Sequence, residues 1–124
     1  MRRSFVIFGL ALALLAAGCG SSGGGSTAST SSSASDGPVT KVSMKNIQFN
    51  PKTVTVKVGT TVEWVNDDSV SHDVTKDTGP GPPFSSGSGN LGDGDTYKVT
   101  FNAPGTVSYE CTAHPGMSGS IIVK

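Results

Sequence analysis

Apolar residues in much of the chain recur at every other position. Val54, Val56 and Val58 alternate with Thr53, Thr55 and Lys57, and Val62 and Trp64 carry the pattern past Gly59-Thr60. Tyr97, Val99 and Phe101 alternate with Thr96, Lys98 and Thr100. Val107, Tyr109 and Cys111 alternate with Thr106, Ser108 and Glu110, and Ile121 and Val123 form a last short run. A period of two sends successive side chains to opposite faces, so each run predicts a half-buried strand. Cys111 falls on the apolar side of its strand. In the first run Val42 and Met44 share a face, but Ile47 and Phe49 need a slip of one residue, which predicts a bulge near Lys45-Asn46. Gly92-Asp93-Gly94-Asp95 and Asn102-Ala103-Pro104-Gly105 carry turn chemistry between runs. No stretch sustains a 3.6-residue apolar period, so no long helix is predicted. Short, regularly spaced strands with Gly and Pro turns predict an all-β Greek-key sandwich of about seven to eight strands, antiparallel in pairing, over residues 39–124.

The first forty residues follow no such pattern. Met1-Arg2-Arg3 is a short positive stretch, and residues 5–15 form an apolar run of signal-peptide length, too short for a membrane span of about 20 residues. Leu15-Ala16-Ala17-Gly18-Cys19 resembles a bacterial lipoprotein cleavage box, with Ala16 where Leu is usual; plain secretory cleavage near Ala17 is the alternative. Residues 1–18 are therefore expected to be a signal peptide, and Cys19 the lipidated new N-terminus. Residues 20–35 are all Gly, Ser, Thr or Ala. With no bulky apolar side chain to bury, residues 19–38 are expected to form a flexible tether. Its reach as a coil is roughly 25 Å. The resulting expectation is an exported domain held by lipid at the extracytoplasmic face of a membrane, in a periplasm or at a cell surface.

The formal net charge is zero, which leaves no basic footprint for nucleic acid. Of the two cysteines, Cys19 is assigned to lipid. A Cys19–Cys111 bridge would occupy a thiol for which the sequence offers better chemistry, so Cys111 is expected to be unpaired. In Cys111-Thr112-Ala113-His114-Pro115-Gly116-Met117 a thiol, an imidazole and a thioether recur at i, i+3 and i+6, and the other histidine is His72. Two His, one Cys and a Met at long axial range are the donors of a blue-copper electron-transfer site. Each has a plainer explanation taken singly, as core filler, turn residue or surface histidine. Their joint spacing is what favours a metal.

These residues also carry a family resemblance. Val62-Glu63-Trp64-Val65-Asn66, His72, the run from Pro104 through Met117 and then Gly119 resemble a small cupredoxin of the plastocyanin/amicyanin group. The Cys-x2-His-x2-Met spacing is similar to the short ligand loop of its amicyanin-like members. The resemblance implies one type 1 copper, cycling between Cu(I) and Cu(II), bound by Nδ1 of His72 and His114, the Cys111 thiolate and, weakly, Met117. It further implies that the His114 edge carries the electron out through an apolar rim of Ala113, Pro115 and Gly116. Brief encounters with redox proteins such as cytochromes or oxidases, a monomeric carrier and no enzymatic activity are expected. Asp73 follows His72 where relatives often have Asn or Thr. A carboxylate there, if near the metal, would favour Cu(II) and lower the reduction potential.

Several rival readings remain at this level. Zinc accepts Cys and His, although a thioether is a poor zinc ligand. Copper storage or delivery would use the same donors without electron transfer. A metal-free adhesion sandwich leaves the spacing of Cys111, His114 and Met117 unexplained. The Pro- and Gly-rich stretch 77–90 reads as a surface loop, or alternatively as a rim near the metal on which a partner docks.

Overall fold

The computed structural model describes residues 37–124. The expected signal peptide, Cys19 and almost all of the tether lie outside the described residues. Eight strands and no helix are found among those described: β1 (Val39–Met44), β2 (Phe49–Asn50), β3 (Thr53–Val56), β4 (Thr60–Asn66), β5 (Thr75–Thr78), β6 (Thr96–Phe101), β7 (Gly105–Glu110) and β8 (Ser118–Val123). They form two four-stranded sheets, ordered β2-β1-β4-β6 and β3-β8-β7-β5. The chain crosses between sheets at nearly every connection, so the loops gather at the two ends of a sandwich.

Pairing is mixed where antiparallel pairing was expected. β1 runs parallel to β4, and β3 runs parallel to β8. Alternation within a strand reports which face is buried but carries no information about a neighbour's direction. The inward faces are those the alternation marked: Val42, Met44, Val62, Trp64, Val107, Tyr109, Cys111, Ile121 and Val123 are all buried. Trp64 sits at the centre, edge-on to Tyr109 with centroids 5.2 Å apart and to Phe101 at 6.3 Å. Phe49 closes on Tyr109 from the other side at 4.7 Å. Burial pushes the Tyr109 phenol up to about 12, with the nearby Trp64 opposing the rise. Tyr109 is therefore a neutral core residue at any physiological pH.

The structure departs from the alternation at two places. The slip between Met44 and Phe49 is a reversal of the chain rather than a bulge. Asn46 and Ile47 take φ of 55° and 58°, Lys45 and Gln48 exchange backbone hydrogen bonds of 3.0 and 3.2 Å, and β2 returns antiparallel along β1. Positive φ at both central residues is the mark of a two-residue hairpin turn. Ile47 is consequently turned out to solvent. The run through Val54 and Val56 stops before Val58, which is exposed, because the chain bends at Lys57–Thr60 into β4.

Two glycines with positive φ separate conformational from steric demand. Gly59 has φ 88° and open space where a Cβ would lie. At Gly79, φ is 110° and a Cβ would collide with the Thr106 carbonyl and come within 2.7 Å of Val107 Cα. Gly59→Ala is expected to cost about 1 kcal/mol, the ordinary penalty for a side chain in the left-handed region. Gly79→Ala must also push β5 off β7, and is expected to cost at least about twice as much. Urea denaturation of the two variants checks the order; equal losses would contradict it.

Candidate metal centre

The donors arrive from two directions at one end of the sandwich. Cys111 follows β7 directly and keeps the inward phase of Val107 and Tyr109. Met117 immediately precedes β8 and is buried. The residues between them form a small closed loop. Cys111 N–H donates to the Met117 carbonyl at 2.9 Å, His114 N–H to the Cys111 carbonyl at 3.3 Å, and Met117 N–H to the His114 carbonyl at 3.1 Å. Gly116, at φ 90°, supplies the turn that side chains resist. His72 comes from the β4–β5 connection. A two-way backbone bridge to Leu91, with both hydrogen bonds at 2.9 Å, holds it in place.

This brings together three of the four expected ligands at bonding range and buries the fourth beside them in the loop. His72 Nδ1 lies 3.1 Å from His114 Nδ1, and the Cys111 sulfur is 3.8 and 3.5 Å from those two nitrogens. Their donor atoms all fall within 4.8 Å of one another. A metal about 2.0 Å from each nitrogen and about 2.3 Å from sulfur would hold its N···N pairs at about 3.3–3.6 Å and its S···N pairs at about 3.5–3.8 Å. Both S···N spacings fall in that range, and the 3.1 Å N···N spacing, slightly shorter, corresponds to an angle of about 100° at such an ion. His72 is fully buried and Cys111 nearly so, whereas His114 is partly exposed. Cys111 is a free thiol. Burial pushes its pKa up, against hydrogen bonds from the N–H groups of Asp73, Ala113 and His114, so metal binding must release its proton.

Asp73 is the residue that ties the two ligand-bearing segments together. Its side chain is buried and accepts five hydrogen bonds from N–H and hydroxyl groups, besides a longer contact with the Cys111 sulfur. Oδ1 receives Thr112 N–H at 3.0 Å and the Thr75 hydroxyl at 3.1 Å. Oδ2 receives the Thr112 hydroxyl at 2.9 Å, Ala113 N–H at 3.1 Å and Gly89 N–H at 3.1 Å. Burial pushes the Asp73 carboxyl up, but these donors outweigh it and leave the pKa below the ordinary carboxylate value. Asp73 N–H also points at the Cys111 sulfur, 3.3 Å away, and Oδ2 lies 3.6 Å from that sulfur. The sequence marked Asp73 for its charge. Its role as a clamp depends on donors at Gly89, Thr112 and Ala113 that only the fold delivers.

Asp68 was not singled out by the sequence. Its Oδ2 accepts from His72 Nε2 at 3.2 Å, and a carboxylate four residues before a loop histidine is too common a pattern to flag. Ala113, Pro115 and Gly116 are exposed around His114. The Pro- and Gly-rich stretch divides in two. Pro80 packs against Gly105, at the end of β7 remote from Cys111, and Phe84 packs on Trp64 and Phe101. Its second half reaches the site: Ser88 and Thr112 hydroxyls lie 2.9 Å apart, and Gly89 bonds Asp73.

Residues 38–124 match the family of copper binding proteins described as plastocyanin/azurin. Amicyanin-alpha of Methylorubrum extorquens is 38% identical over 85 residues, which cover 68% of this chain and 71% of that protein. Among solved structures, a Cu-containing nitrite reductase from Thermus scotoductus aligns with TM-score 0.63 and 39% identity over 70% of this chain. This chain spans only 22% of that reductase's length. A purple cupredoxin from Nitrosopumilus maritimus aligns with TM-score 0.60 and 29% identity, covering 68% of this chain and 98% of that one. The match over nearly all the described residues, with two histidines and a cysteine converging at one end of an all-β sandwich, places this chain in the copper-binding plastocyanin/azurin family, with one type 1 copper as its cofactor.

Proposed function

We infer that the protein is a blue-copper electron carrier working outside the cytoplasm, tethered to a membrane by lipid on Cys19 and serving transient redox partners of the cytochrome or oxidase kind. The observation that carries the reading is the convergence of His72, Cys111 and His114 on a single point, with only His114 reaching toward solvent. His72 and His114 would hold the metal through Nδ1 and Cys111 through its thiolate, with Met117 as the weak fourth ligand. Copper supplies a one-electron Cu(I)/Cu(II) couple when bound. The chain's contribution is to keep the donors still between the two charge states. The Cys111–Met117 ring of hydrogen bonds and the Asp73 clamp both oppose loop movement. The His114 edge gives the electron an exit, and the exposed Ala113, Pro115 and Gly116 let a partner approach it closely. With four protein donors around one ion, no open position is left for a substrate, which favours a carrier over an enzyme. A neutral chain with a small apolar rim suits brief, weak encounters.

Visible absorption of the copper-loaded, oxidised protein tests this reading. A strong thiolate-to-copper charge-transfer band is expected, and Cys111→Ala should abolish it while leaving the sandwich folded. A colourless complex would mean that the copper is merely stored or adventitious. The charge of Asp73, so near the sulfur, should stabilise Cu(II) over Cu(I). Asp73→Asn is expected to raise the reduction potential on the order of 60 mV, the equivalent of tenfold in a one-electron equilibrium. A redox titration showing an unchanged or lower potential would refute that assignment.

A further inference from the structure

The His72 ring needs two things at once: a free lone pair on Nδ1 and a home for the proton on Nε2. His72 is fully buried, so solvent does not supply the second. Asp68 does, through Oδ2 at 3.2 Å. A ring whose Nε2–H donates to a carboxylate is held as the tautomer with Nδ1 unprotonated, and its basicity toward a metal rises.

The position of that carboxylate is itself specified from two sides. Asn66, buried at the end of β4, accepts the Asp68 N–H at 2.9 Å through Oδ1, while its Nδ2 donates to the carbonyls of Val70 and Leu91, each at 2.9 Å. These bonds shape the chain from Asn66 to Val70, so that the Asp68 side chain faces His72. From the other side, Ile47 N–H donates to the same Oδ2 at 3.0 Å. Ile47 is a β-branched residue at φ 58°, a conformation such residues avoid, and it is 47% exposed. The turn therefore gains little from packing Ile47. What it does present is a backbone N–H aimed at Asp68. One oxygen thus accepts from a strained turn and from a buried imidazole.

The geometry points to Asp68 as the positioning residue for the buried ligand histidine: it sets the His72 tautomer and thereby the affinity of the site for copper, with the Asn46-Ile47 turn fixing it in place. Asp68 is not itself a metal ligand. The inference builds on the copper reading above, but its first readout needs no metal.

Nitrogen-15 long-range correlation NMR of the metal-free protein reads the imidazole tautomers directly. The wild type is expected to show His72 with its proton on Nε2, and Asp68→Ala to lose that single state, either to a mixture or to the other tautomer. Competition with a Cu(I) chelator should show Asp68→Ala binding copper about 10- to 100-fold more weakly, the usual loss when a ligand histidine is deprived of its hydrogen-bond partner. Asp68→Asn keeps an oxygen for both donors without the charge, so it should retain the Nε2–H tautomer and lose less affinity; it remains informative if the alanine variant unfolds. Wild-type tautomer and affinity in Asp68→Ala, or a lost tautomer in a well-folded Asp68→Asn, would overturn the proposal. Because the NMR readout uses metal-free protein, it succeeds or fails independently of whether the protein carries electrons.

Discussion

Five N–H and hydroxyl donors from three separate segments meet on the carboxylate of Asp73, and the arrangement of the metal centre depends on that convergence. Thr75 lies at the start of β5, Gly89 in the long loop before β6, and Thr112 and Ala113 in the loop after β7. Because Asp73 adjoins His72 in sequence, each bond drawn from the Cys111 loop also fixes the distance between the two ligand-bearing segments. A buried carboxylate is costly unless its lone pairs are satisfied, and this one is satisfied almost wholly by groups whose positions matter to the site. The charge that makes the clamp strong also lies beside the sulfur. One carboxylate thus both ties the loops together and sets a negative charge within 3.6 Å of the sulfur.

The sandwich makes such a clamp possible because its strands deliver the donors at fixed heights. β7 carries Cys111 out of the core in the same phase as Val107 and Tyr109, and β8 begins just after Met117, so the ligand loop spans two hydrogen-bonded neighbours. β4 delivers Asn66 to the same end, and β1, parallel to it, delivers the Asn46-Ile47 turn alongside. The parallel pairing thus has a consequence at the site. It places the β1–β2 turn at the ligand end of the molecule, where its backbone reaches Asp68.

Much of this was legible in the chain, and the division follows from which interactions are local. The inward faces of β4, β7 and β8 could be read because alternation is a property of each strand alone. The donor set could be read because Cys111, His114 and Met117 share one short loop and few other soft donors exist. Strand direction could not, since alternation is indifferent to it. The Asn46-Ile47 reversal was mistaken for a bulge because Ile is a poor residue for a left-handed turn and so gave no turn signal. The work of Asn66 and Asp68 was hidden for another reason. Their partners at Val70, Leu91, Ile47 and His72 are brought together only when β1, β4 and the long loop have all been placed.

The packed sandwich is expected to assemble the donors before any metal arrives. Crystal structures of the metal-free and copper-loaded protein, compared at the ligand end, test it most directly. The Cys111 sulfur and both Nδ1 atoms are expected to keep their places to within about 0.5 Å, with the Asp73 hydrogen bonds intact in both. A metal-free structure in which the Cys111–Met117 loop takes another conformation, or in which Asp73 has lost its partners across that loop, would contradict it.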